Sequence, residues 1–337
     1  MKRFWRISLF VVAIVAAILA VAVSATIGWR PFIGPRARAL TDRKFEVTPQ
    51  RLARGSYLAN SVSGCMFCHS AHNWGALGAP IVEGKLGAGD VFPLEGLPGR
   101  IVAPNLTPDA ETGAGNWSDD QFARAIREGI GHDGRALFPL MPYGNFRVMS
   151  DEDLASVVVY LRSLSAVRNP LPSTEIIFPV KYLIRSVPAP VQGAIASLSP
   201  DTTAAYGAYL VRISGCTDCH TPQQRGQPMP GMAFAGGLEF KGPFGTVTSA
   251  NITPDPSGIG YYNEKIFFEA LRTGKVGARA LNPIMPWGML RGMTDNDLLA
   301  MFAYLRTLKP VRHRVDNTQP PTLCKICKGN HGAGDQN

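Results

Sequence analysis

The sequence predicts a mainly α-helical protein: two tandem domains behind an N-terminal transmembrane helix. Three observations carry this expectation. Residues Ile7 to Trp29 form 23 positions without a charge. Motifs of the first half recur in the second, displaced by 144 to 151 residues. Apolar stripes of helical spacing recur with them. A chain of 337 residues is long enough for two domains of ordinary size.

The apolar run opens the chain and can cross a bilayer as a helix. Lys2, Arg3 and Arg6 precede it, and Arg30, Arg36 and Arg38 follow it, so basic residues orient it only weakly. The competing reading is a cleaved signal peptide, with Val23-Ser24-Ala25 as an acceptable cleavage site. The run exceeds the usual 7–15 residues of a signal core, which favours a retained anchor. Residues 1–40 are therefore assigned to the anchor and the juxtamembrane segment.

The first domain spans 41–165. Thr48 is a good N-cap and Pro49 suits the first helical position. That helix runs through Leu52, Tyr57 and Leu58 toward Gly64. A second helix follows Trp117-Ser118, with Phe122 and Ile126 on its apolar side. The last helix is opened by Ser150, with Asp153 three residues on, close to a capping box. Leu154, Val157, Val158 and Leu161 form its stripe, and Arg162 suits its C-terminal end.

Residues 166–200 form a Pro-rich apolar linker. Ile176-Ile177-Phe178 and Tyr182-Leu183-Ile184 make it too apolar to hang free, so it is expected to pack on the domains, a partner or lipid. The second domain, 201–315, repeats the first. A helix from Asp201 carries Tyr206, Tyr209 and Leu210 to Gly215. Another follows Asn263 with Ile266, Phe267, Ala270 and Leu271. Thr294 and Asp297 open the last, whose stripe is Leu298, Met301, Phe302 and Leu305. Residues 316–337 are expected to be a flexible C-terminal tail.

The duplication extends to loops. Asn105-Leu106-Thr107-Pro108-Asp109 matches Asn251-Ile252-Thr253-Pro254-Asp255, and Pro139-Leu140-Met141-Pro142 matches Pro283-Ile284-Met285-Pro286. A period this long means tandem domains rather than a solenoid of short repeats.

Chemistry is concentrated in Cys65-Met66-Phe67-Cys68-His69 and Cys216-Thr217-Asp218-Cys219-His220. Two thiols at i and i+3 followed by an imidazole form the attachment pattern of c-type haem. On one helical turn both sulfurs can bond the porphyrin vinyl groups, and the next residue turns its imidazole to the iron. The pattern occurs twice, which argues for two covalently bound haem c groups over a redox or zinc cysteine pair. His69 and His220 are the expected proximal ligands.

Each half offers two methionines for the sixth position: Met141 and Met149, then Met285 and Met293. Met141 and Met285 are chosen because prolines at −2 and +1 stiffen their loops. Met149 and Met293 precede helix N-caps, where an apolar residue acts as a staple. His72 is too close to its attachment site to reach the opposite haem face, and His132 has no counterpart in the second half. A third pair, Cys324 and Cys327, is followed by Lys328. His331 would be a third metal donor, but no fourth is evident, so a local disulfide is the expectation for an exported protein.

Each half thus resembles a class I cytochrome c, over about 41–165 and 201–315. The resemblance extends to the membrane-bound cytochrome c subunits of bacterial alcohol, gluconate and aldehyde dehydrogenases. Those subunits usually carry three such domains, against two here. It implies haem attachment outside the cytoplasm, and so a single-pass protein of the cytoplasmic membrane with its haem domains on the periplasmic side. It also implies an electron carrier rather than an enzyme. The expected donor is a dehydrogenase catalytic subunit or another redox protein, and the expected acceptor is a quinone, a soluble cytochrome or a terminal oxidase. The competing class is a haem enzyme with an open distal site, of peroxidase or thiosulfate-oxidising type. Both halves keep the methionine loop, which opposes it.

The net charge of +9 is uneven: +6 over 1–40, −3 over 41–165, +2 over 166–200 and +4 over 201–337. The basic residues are scattered, so no nucleic-acid partner is expected. The difference between the halves suits different docking partners or ordinary solvated surfaces equally well.

Overall fold

The structure is a computed structural model and describes residues 2–201, 203–224 and 226–332. The chain begins with α1 (Lys2–Ala25), and the most apolar 18-residue window of Arg3–Ala25 has a mean hydropathy of 2.9 with no part of it buried. It is long and apolar enough to cross a membrane. A single turn, α2 (Arg30–Ile33), follows. Arg38 then ties the segment to the body, donating to Asp120 at 2.7 Å and to Glu128 at 2.7 Å. Burial alone would raise the Asp120 carboxyl, but Arg38 and the Thr41 amide hold it down at about 2.

The first half contains α3 (Pro49–Tyr57), α4 (Cys65–Cys68), α5 (Asp119–Glu128), α6 (Tyr143–Phe146) and α7 (Asp151–Ser163). Thr48 caps α3 by accepting from the Arg51 amide. Wider turns over Leu58–Val62 carry α3 on toward Gly64. Ser118 and Gln121 make the reciprocal capping box of α5. Ser150 caps α7.

The linker holds α8 (Val180–Leu183), which lies against α2. The second half repeats the series as α9 (Ala204–Ile213), α10 (Cys216–His220), α11 (Glu264–Thr273), α12 (Trp287–Leu290) and α13 (Asp295–Thr307). Its caps are Thr203, Asn263 and Thr294. The first of these helices therefore starts later than Asp201, whose carboxylate instead accepts from the Thr203 amide and hydroxyl. Strands are short and occur as two-stranded pairs.

In each half the first and last helices cross at backbone contact. A Cβ on Gly55 would stand 1.9 Å from the Ser156 carbonyl oxygen, and one on Gly207 would stand 1.8 Å from that of Ala300. Around these crossings lie Leu58, Val62, Leu154, Val157 and Leu161, and then Leu210, Ile213, Leu298, Met301 and Leu305. These residues belong to one apolar core that runs through both halves.

The halves are joined by a matched pair of hydrogen bonds. Tyr57 donates to Asp297 at 2.5 Å, and Tyr209 donates to Asp153 at 2.6 Å. Each hydroxyl also accepts from the N-cap amide of the same helix, Thr294 or Ser150. Burial, reinforced by the carboxylate, raises both phenols well above their ordinary value, so they stay protonated donors. The near-capping-box expectation for Asp153 and Asp297 is corrected here. Their side chains reach across to the other half instead of back along their own helix. Asp153 also takes a two-point hydrogen bond from Arg54. Tyr57→Phe and Tyr209→Phe are each expected to lower stability by about 1–2 kcal/mol, because each leaves a carboxylate short of a donor. Denaturant unfolding of the holoprotein measures this, and the double variant reports whether the two bonds act together.

The linker wraps the first half. Asn105 donates to the Val167 carbonyl, the Asn169 amide donates to Thr112, and Glu175–Ile176 pairs antiparallel with Gly99–Arg100. The segment after α13 copies the start of this path. Asn251 donates to the Val311 carbonyl and the His313 amide donates to Ser257. The C-terminal residues also differ from the expected free tail, since Thr322–Leu323 and Asn330–His331 form a hairpin.

Candidate functional site

Gly64 and Gly215 each precede an attachment turn in the left-handed conformation, with φ of 67° and 70°. Glycine adopts this conformation without strain. The chain therefore turns sharply out of the first helix into Cys65–Cys68 and Cys216–His220. Burial pushes the thiols up, to about 12 for Cys68, Cys216 and Cys219, so they remain protonated. Cys65 moves in the same direction for the same reason. Asn145, four residues after Met141, donates to Asp218 of the second turn at 2.7 Å.

Each histidine is oriented by a backbone carbonyl. His69 Nδ1 donates to Pro104 at 2.8 Å, and His220 Nδ1 donates to Ala250 at 2.7 Å. That bond selects the tautomer whose Nε2 is a lone-pair donor. Burial lowers both imidazoles below their ordinary pKa, which keeps them neutral. The carbonyls belong to residues just ahead of the Asn-x-Thr-Pro repeat. Asn105 and Asn251 each accept from the amide and hydroxyl of the threonine two residues on. The repeat is visible in the sequence, but its role in aiming an imidazole is not.

Met141 and Met285 sit in equivalent half-buried turns. The amide of each donates three residues back, to Phe138 or Asn282, and its carbonyl accepts from Tyr143 or Trp287. Cys65, Cys216, Met141 and Met285 all pack on the margin of the shared core. Met149 and Met293 lie inside that core, each 1% exposed. The residue after each Met-Pro is an aromatic seated over a glycine. Tyr143 covers Gly129 and Trp287 covers Gly274, where a Cβ would stand 2.6 Å and 2.2 Å from the ring.

These residues fit a covalently held haem. Two thiols and one neutral imidazole lie on one short turn, with a thioether loop in the same half. Trp287 Nε1, two residues past Met285, is buried with no hydrogen-bond partner among the described residues. A porphyrin propionate would accept from it. When bound, such a haem supplies one-electron chemistry at iron.

His72 does not face a haem iron from the distal side. Both of its ring nitrogens bond backbone carbonyls, those of Ala79 and Phe67. His132 stacks on Trp117.

The helical fold and the Cys-x-x-Cys-His turn of the first half are those of a c-type cytochrome domain. Residues 52–165 match the Cytochrome c family model, and this part of the chain is a cytochrome c domain. The chain is 30% identical over 269 residues to the fructose dehydrogenase cytochrome subunit of Gluconobacter japonicus, covering 76% of this chain and 52% of that protein. It is 29% identical over 272 residues to the gluconate 2-dehydrogenase cytochrome c subunit of Pantoea cypripedii, covering 76% and 59%. A diheme cytochrome c-type protein of Cereibacter sphaeroides is 27% identical over 202 residues, covering 57% and 64%. The chain thus spans between half and three fifths of the length of the first two relatives.

Proposed function

We propose that this chain is a membrane-anchored dihaem c-type cytochrome that relays electrons from the catalytic subunit of a dehydrogenase. It does no bond-making chemistry on a substrate of its own. Cys65, Cys68 and His69 hold one haem, and Cys216, Cys219 and His220 hold the other. Met141 and Met285 are the sixth ligands. The single observation that carries this reading is the repeated imidazole geometry. A carbonyl orients the histidine that follows Cys-x-x-Cys at 2.8 Å in one half and 2.7 Å in the other.

The hydrogen bond from Asn145, beside the first methionine loop, to Asp218 of the second attachment turn supports a short path between the two haems within one chain. The acceptor is a quinone, a soluble cytochrome or a terminal oxidase. Helix α1 is the anchor, with the haem domains on the periplasmic side of the cytoplasmic membrane. Exposed Phe32, Ile33, Ile177 and Phe178 gather where the linker meets α2, an apolar surface that suits the lipid boundary.

Haem stoichiometry tests the proposal. The matured chain is expected to carry two haems per polypeptide by pyridine haemochromogen assay. Cys216→Ala/Cys219→Ala is expected to carry one. A wild-type chain with a single haem would overturn the dihaem reading. Dehydrogenase coupling is checked by co-purification from membranes. Substrate of the recovered catalytic subunit should then reduce both haems.

A further inference from the structure

We propose that the C-terminal hairpin and the segment after α13 form a structural zinc site from His313, Cys324, Cys327 and His331. The ligand atoms of these four residues all lie within 4.8 Å of one another. Sequence order hides the set, because His313 stands apart from the cysteine pair and carries no motif of its own.

The hairpin builds the thiol half. Thr322–Leu323 pairs with Asn330–His331, the Cys324 amide donates to the Gly329 carbonyl, and the Lys328 amide donates back to the Cys324 carbonyl. Lys328 holds a φ of +60° to close this turn. The Ile326 amide points at Cys324 Sγ at 3.3 Å, a donor that stabilises negative charge on sulfur.

The imidazole half is equally oriented. His313 Nδ1 donates to the Ala235 carbonyl at 2.8 Å, and His331 Nδ1 donates to the Arg314 carbonyl at 3.1 Å. Such outer bonds set the tautomer and turn each Nε2 inward. His313 Nε2 then lies 3.5 Å from Cys324 Sγ, and His331 Nε2 lies 3.1 Å from Cys327 Sγ. A tetrahedral zinc with bonds of about 2.3 Å to sulfur and 2.0–2.1 Å to nitrogen needs sulfur-to-nitrogen edges of roughly 3.5 Å.

The surroundings are apolar on one side and leave no room for a further side chain. Met232, Ala235 and Cys327 are buried together, with Met229 and Val311 packed on them. Gly237, at φ +99°, passes beside the cluster. A Cβ there would stand 2.7 Å from the His313 ring, 3.1 Å from His331 Nε2 and 3.3 Å from Cys327 Sγ. Two thiolates and two imidazoles with no open position form a closed structural set that suits zinc.

The site has a mechanical consequence. Ala235, which His313 holds, is followed by Gly236, whose amide donates to the His220 carbonyl at 2.7 Å. The metal therefore clips the loop beside the second proximal histidine. This inference does not depend on the haem reading, because zinc and haem iron are measured separately.

The full-length detergent-solubilised protein, purified without added metal, is expected to hold one zinc per chain by elemental analysis. Zinc K-edge absorption spectroscopy is expected to show two sulfur and two nitrogen neighbours. Cys324→Ser/Cys327→Ser is expected to lose the zinc while keeping its full haem content. His313→Gln is expected to bind zinc at least tenfold more weakly in a chelator competition. Zinc-free wild-type protein that takes up no added zinc, a shell without sulfur, or a Cys324–Cys327 disulfide in the isolated chain would each overturn the proposal. The wild-type measurements decide the matter even if a variant fails to fold.

Discussion

Met141→Ala and Met285→Ala are each expected to lower the midpoint potential of one haem by on the order of 0.1 V or more, within the roughly 0.8 V that axial ligation spans. A thioether is a weak σ-donor that favours ferrous iron. Replacing it with water or an adventitious base removes that preference. The weak sulfur-to-iron absorption of the oxidised protein should fall by half in each single variant and vanish in the double. Spectroelectrochemical titration reads both effects. Met149→Ala serves as the control, because its side chain is packed in the core beside α7. It should cost about 2–5 kcal/mol of stability and leave both potentials in place. If Met149→Ala moves a potential and Met141→Ala does not, the ligand pair is exchanged and the proposed sixth ligands are wrong.

Gly207→Ala and Gly55→Ala are expected to be among the most damaging single substitutions in the folded halves. The added methyl would enter at 1.8 Å from the Ala300 carbonyl and 1.9 Å from that of Ser156. Those oxygens are backbone atoms of α13 and α7, so no side chain can rotate away. The helices must separate by more than an ångström, opening the packing around Leu210, Leu298 and Met301 or around Leu58 and Leu154. A cost of about 3 kcal/mol or more follows for each, at the upper end of overpacking effects. Guanidinium unfolding followed at the haem absorption measures it. A change below about 1 kcal/mol would mean that the crossings are looser than the structure shows.

The helix caps were legible in the sequence because they are short-range. A hydroxyl at Thr48, Ser150 or Thr294 finds an amide three residues on, and both atoms sit in one local pattern. The apolar stripes of α7 and α13 were legible for the same reason. Asp153 and Asp297 were misread because their position in the cap pattern suits a local role. Their actual partners, Tyr209 and Tyr57, lie in the other half of the chain, and no local rule brings them into view. The linker was legible as apolar and packed, but not the threading of Asn169 and Glu175 over the first half. The hairpin in the tail and the approach of His313 to its three donors were not legible, because His313 comes from the segment after α13 and no spacing within the tail announces it.

The sequence by itself singled out the residues proposed to carry the cofactor chemistry: two copies of Cys-x-x-Cys-His, two methionine loops and one apolar span. Those signals need only neighbours along the chain, since a helical turn or a proline-flanked loop forms wherever its residues stand. Only the tertiary structure decided how imidazoles are aimed, how the halves share one core, and how the tail acquires a fourth metal donor. Each of these depends on groups far apart in sequence meeting at hydrogen-bond distance, and that meeting is set by how the whole core packs.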